Sequence, residues 1–155
     1  LTVIALTVPK IYFILSLLLP LPMTKRRTNR RRIKVHELPS RRESLTQKLG
    51  IVHATGRASL YVTTSHDPSG RIQEAFISVE KTGADERAYV DVASRYLSRE
   101  LQNGVPLEDA LAPYEVKTNP IGSITGYPKL GFCRGYLDAA RKYLLAYQQE
   151  LLDAQ

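Results

Sequence analysis

Residues 57–104 read RASLYVTTSHDPSGRIQEAFISVEKTGADERAYVDVASRYLSRELQNG, and this stretch decides the fold. Its first limb, Leu60-Tyr61-Val62-Thr63-Thr64, and its second, Arg71 to Val79, are rich in β-branched and aromatic residues. Such residues suit a pleated, half-buried surface. His66-Asp67-Pro68-Ser69-Gly70 lies between them, where Pro presets one turn dihedral and Gly supplies a positive one. From Asp85 the period changes. Tyr89, Val92, Ala93, Tyr96, Leu97 and Leu101 repeat with helical spacing, and Gly104 stands where a left-handed C-terminal cap belongs. A hairpin feeding an amphipathic helix is the expectation, with Tyr89, Val92 and Tyr96 on the buried side.

Working outward, Leu45–Thr55 predicts a preceding strand, with Gly56 and Arg57 as the tight connection to the next. After the helix, Val105-Pro106 begins a short helix that Pro113 stops. Residues 115–127 predict a loop, because Pro120, Gly122 and Gly126 are breakers. A last helix is expected from about Pro128 to Leu152. Leu130, Cys133, Leu137, Ala140, Leu144, Tyr147 and Leu151 would form its seam, fit to lie across a sheet or a partner. The fold class is therefore α+β: a three-stranded antiparallel meander packed against two or three helices, with a disordered basic N-terminal arm.

The chain has 155 residues and a net charge of +7. That charge is localised. Residues 23–42 carry nine Lys/Arg against Glu37, whereas 43–155 carries twelve basic and fourteen acidic residues. Three segments follow: apolar 1–22, a basic flexible arm 23–42, and an α+β domain 43–155. In the arm, Lys25, Arg26, Arg27, Arg30, Arg31, Arg32 and Lys34 are candidates for phosphate contact in a nucleic acid, binding that is salt-dependent and sequence-independent. The competing reading is a solvated tail or linker, since clustered like charges stay hydrated. No aromatics are interleaved with the arm's cations, which disfavours sequence-specific recognition.

Segment 1–22 is apolar but broken by Pro9, Lys10 and Pro20, which makes it marginal as a membrane span. Its charges follow the apolar run instead of preceding it, unlike a secretory signal. Met23 is the only methionine, and translation is expected to begin there. A membrane role is disfavoured and a cytoplasmic location expected.

Catalytic constellations are scarce. One cysteine excludes an internal disulfide, and the histidines at 36, 53 and 66 lack ligand spacing, so no metal is expected. Cys133 reads as a small core residue and not a nucleophile. The loop carrying Gly122, Ser123, Thr125 and Gly126 could offer backbone N–H groups to a phosphate ahead of a helix N-terminus. Its spacing is not that of a P-loop, and Pro128 removes one donor, so a structural turn is the favoured alternative.

Several pieces together resemble a known family. Leu38-Pro39-Ser40-Arg41-Arg42, Leu60-Tyr61-Val62-Thr63-Thr64, Lys81-Thr82-Gly83-Ala84, Asn103-Gly104-Val105-Pro106-Leu107-Glu108 and the loop 119–126 occur in collinear order. This order is similar to the C-terminal, TSCPD-type domain of class II adenosylcobalamin-dependent ribonucleotide reductases, over about residues 37–148. The resemblance implies a place in deoxyribonucleotide synthesis, with a reductase large subunit as partner and the final helix seam as docking surface. Adenosylcobalamin would belong to that partner, and no cofactor is expected in this chain. The Cys-Pro-Asp element of the family has no counterpart here. A single thiol cannot supply both a radical site and two reducing equivalents, so a domain that is non-catalytic by itself is expected.

Overall fold

A computed structural model describes residues 38–80 and 82–154. The expected arm residues 25–34 and the apolar segment 1–22 lie outside the described residues. Strands β1 (Leu45–His53), β2 (Gly56–His66) and β3 (Ile72–Glu80) form the antiparallel meander that the sequence predicts. The first turn is Ala54-Thr55, with His53 paired to Gly56, two residues earlier than expected. In the second turn Asp67 acts as the hub. Its Oδ1 accepts the Ser69 N–H (2.8 Å), the Ser69 hydroxyl (2.6 Å) and the Arg71 N–H (3.1 Å), and its Oδ2 accepts Gln73 Nε2 (2.9 Å). Burial raises the Asp67 pKa, but these hydrogen bonds outweigh it and hold the carboxyl below its usual value.

The sheet does not stop at three strands. β4 (Gly122–Thr125) pairs antiparallel with β1, and β5 (Phe132–Cys133) pairs with β4, giving the order β3-β2-β1-β4-β5. This corrects both the three-stranded sheet and the loop expected over 115–127. Gly122 reads as a breaker in the sequence, yet it serves close approach. A Cβ there would stand 2.5 Å from the Val52 carbonyl oxygen, so only glycine lets β4 lie this near β1.

The last helix, α3, spans Tyr136–Asp153, eight residues later than expected from Pro128. Pro128–Leu130 is a 3₁₀ turn, followed by Gly131 at φ +64°. Leu130 and Cys133 continue the helical spacing by coincidence, since Cys133 is in β5. Helix α1 (Ala84–Gln102) ends as predicted: Gly104 at φ +79° donates to Leu101 O, and Val105 N–H donates to Glu100 O. These two bonds are those of a Schellman cap. Helix α2 (Leu107–Leu111) follows Pro106 and passes into a 3₁₀ turn at Ala112–Tyr114, where Pro113 ends it.

One side of the sheet holds the core. Leu49, Ile51, Leu60, Val62, Ala75, Ile77 and Val79 meet Leu97, Leu101, Leu111, Ala140, Tyr143 and Leu144 from the helices. Gln148 of α3 also clamps the second hairpin turn, accepting the Ile72 N–H at 2.9 Å and donating to Gly70 O at 2.7 Å. The other side of the sheet carries the alternate residues of every strand, and no helix covers it among the described residues.

Candidate functional site

Helix α1 buries Leu97 and Leu101 as its hydrophobic spacing implies, but its core-facing side is rotated away from Tyr89, Val92 and Tyr96. Val90, Ser94, Leu97, Ser98 and Leu101 are buried, whereas Tyr89, Val92 and Tyr96 are 73%, 51% and 61% exposed. The cause is the sheet edge. β3 is a terminal strand, and the Ser98 hydroxyl donates to Ala75 O (2.8 Å) and accepts the Ala75 N–H (3.1 Å). The small side chains of Ser94 and Ser98 let α1 approach closely, and Ser98 satisfies one backbone pair of an edge that would otherwise recruit another strand. Tyr114 adds a second tie by donating its hydroxyl to Ala93 O, and burial raises its pKa to about 12.

Docking through Ser94 and Ser98 leaves Tyr89, Val92 and Tyr96, at i, i+3 and i+7, as an outward aromatic stripe. Arg95 and Arg99 join Val92 and Tyr96 around a shallow hollow of about 260 Å³. Arg95 pairs with Asp91 at 2.8 Å, an exposed i,i+4 contact on the same helix. Aromatic residues and arginine are the types enriched at protein–protein contacts, and the stripe has that composition.

The α3 seam, expected as the docking surface, faces the domain's own sheet. Ala140 and Leu144 are fully buried in the domain's own core, and Leu137, Tyr147 and Leu151 pack against it. Cys133 is buried as expected, but in β5. Its Sγ lies 3.6 Å from Gly122 O, and burial pushes the thiol pKa up, away from the reactive thiolate.

Gly122, Ser123 and Thr125 lie along extended β4, with Gly126 just beyond it, so they do not curl around a common point. Ile124 N–H donates to Gly131 O (2.7 Å), and Ile121 N–H to Cys133 O (2.9 Å). The helix terminus expected beside this loop begins instead at Tyr136. His53 closes β1 with its ring edge-on to Tyr136 at 5.9 Å. Among the described residues, no three His, Cys, Asp or Glu side chains converge as metal ligands. None of the described helices is long and apolar enough to cross a membrane.

The model of the TSCPD domain matches residues 29–132, from before β1 to the start of β5. The chain belongs to the TSCPD domain family. Two curated relatives are vitamin B12-dependent ribonucleotide reductases. That of Agrobacterium fabrum is 34% identical over 103 residues, and that of Bradyrhizobium diazoefficiens 29% over 103 residues. Each alignment covers 66% of this chain but 8% of the reductase. No solved structure matches. The TSCPD match ends before α3, so the helix that seals the core lies outside the part shared with the family model.

Proposed function

We propose that this TSCPD chain serves ribonucleotide reduction as a non-catalytic module that docks on a reductase large subunit, through the outward face of α1. The observation that carries this reading is the exposure of Tyr89, Val92 and Tyr96, which the chain's own fold leaves without a partner among the described residues. The kinship with vitamin B12-dependent reductases supplies the kind of partner. The buried, high-pKa thiol of Cys133 supports a role without thiol chemistry of its own. Chemistry and adenosylcobalamin would both reside on the large subunit.

The test is complex formation with a vitamin B12-dependent reductase from which the homologous segment has been removed. Wild-type chain is expected to co-elute with it. Tyr89→Ala and Tyr96→Ala should each weaken the complex by about 2 kcal/mol, as central aromatic anchors do. Both side chains are exposed, so the variants should keep the wild-type melting curve. Absence of a complex, or indifference to both substitutions, would remove the reading.

A second reading concerns nucleic acid, and the placement of charge favours it. The excess of +8 over residues 23–42 suits phosphate contact by Lys25, Arg26, Arg27, Arg30, Arg31, Arg32 and Lys34. It is independent of the α1 surface.

A further inference from the structure

The side of the sheet away from the helices is built from rows that can be read off the register. Phe76, Thr63 and Thr46 form one row; Ser78, Tyr61 and Lys48 form the next. Glu80, Ser59, Gly50 and Thr125 follow, then Arg57, Val52, Ser123 and Phe132. Three aromatic rings therefore stand on one surface otherwise dominated by hydroxyls. Phe76 is 43% exposed and Phe132 66% exposed, although neither lies in the helix-facing core. Tyr61 is diagonal to Phe76 across the β2–β3 pair, a spacing of about 7–8 Å. Phe132 lies three strands and two rows from Tyr61, about 20 Å away on the same face.

The charge on this surface is positive. Lys48 and Arg57 lie on it, with Lys48 Nζ 5.4 Å from the Tyr61 ring centroid. Glu80 accepts from the Tyr61 hydroxyl at 3.1 Å. At the β3 end, Ser40, Arg41, Arg42 and Ser44 form one wall of a cleft of about 400 Å³, and Thr63, Ser65, Glu74 and Phe76 form the other. Arg42 pairs with Glu74, whose carboxylate is buried, and also donates to Pro39 O at 3.0 Å. That pair neutralises the acid beneath the cleft and leaves the exposed Arg41 at its mouth. The basic run of the sequence leads directly into these two arginines.

We infer that this open face binds single-stranded nucleic acid: bases stack on Phe76 and Tyr61, with Phe132 as an outlying platform, while Arg41, Lys48 and Arg57 meet phosphates. Rings on a half-exposed sheet receive unpaired bases, whose π-faces a duplex keeps stacked inside. Positive charge set among those rings matches a polyanion and not an apolar helix, which selects this occupant over a protein strand. The inference extends the reading in which the basic arm contacts phosphates. It adds the aromatic element that the arm's own sequence lacks.

The experiment is fluorescence anisotropy of the full chain with labelled 15-nucleotide oligothymidylate, oligouridylate and a DNA duplex of equal length, across a salt series. Both single strands should bind more tightly than the duplex, and the stronger of the two identifies the natural class as DNA or RNA. Phe76→Ala should weaken single-strand binding about tenfold, and Phe76→Trp should restore it. Phe132→Ala, also at an exposed position, should give a smaller loss. Replacing Arg30, Arg31 and Arg32 together with alanine should lower the salt slope by about 0.7 for each phosphate no longer neutralised. Binding that follows the arm variant but ignores Phe76→Ala and Phe132→Ala would overturn the stacking face while leaving the arm reading intact. Equal affinity for duplex, or no binding to any oligonucleotide, would also overturn it.

Discussion

Leu144→Ala is expected to destabilise the domain by about 2–5 kcal/mol, measured by urea denaturation of the full chain. Leu144 is fully buried on α3, among side chains that join the helix to the sheet and to Tyr143. Truncation there removes apolar burial and leaves a cavity that the surrounding strands can close only in part. The size of the loss separates two roles for the same spacing pattern. A seam used for docking would tolerate alanine in the isolated chain and fail only in complex formation. A seam used as core loses stability before any partner is added, and the buried neighbours Ala139, Ala140 and Tyr143 identify it as core.

The second large effect is expected at Asp138. Its carboxylate is buried in the first turn of α3, where Oδ2 accepts the Arg134 N–H at 2.8 Å and lies 3.6 Å from Lys142 Nζ. Gly135 leads the chain into this helix without a side-chain cap, so Asp138 supplies the reach-back acceptor that the terminus needs. Asp138→Leu would leave the Arg134 N–H unsatisfied and remove the favourable charge from the helix N-terminus. A loss of about 2–4 kcal/mol is expected from the two effects together. Asp138→Asn keeps one acceptor oxygen and should lose about half as much. Lys142 is partly exposed and can turn to water, so the cost comes mainly from the orphaned N–H.

The parts of the fold legible in the sequence are those where one strong local signal governs. Alternation and turn chemistry define β1 to β3, and Asp67-Pro68-Ser69-Gly70 makes the turn it encodes. Gly104 caps α1 because its left-handed φ is costly for any other residue. Two features are hidden because a longer-range requirement overrides the local one. Gly122 and Gly126 look like loop residues, but Gly122 is needed so that a short strand can press against Val52. The spacing of α1 points Tyr89, Val92 and Tyr96 inward, yet Ser94 and Ser98 take that side: both are small and buried, and Ser98 bonds the Ala75 backbone of β3. Buried serines on the helix that follows an edge strand are the available signal, and hydrophobic periodicity gives them no weight. The stacking face is legible in part. Tyr61 and Phe76 are visible as outward positions once the strands are placed, but Phe132 joins them only through β4 and β5.

These features converge on one division of labour. The helices close one side of the sheet, α1 offers an aromatic surface beyond them, and α3 spends its apolar seam on the core. Hydrogen-exchange mass spectrometry of the chain, with and without a vitamin B12-dependent reductase lacking its homologous segment, tests this most directly. Slower exchange over residues 87–99 of α1, with α3 from 140 to 150 unchanged, is the predicted result. Protection confined to α3, or no change at either helix in the presence of saturating reductase, would contradict it.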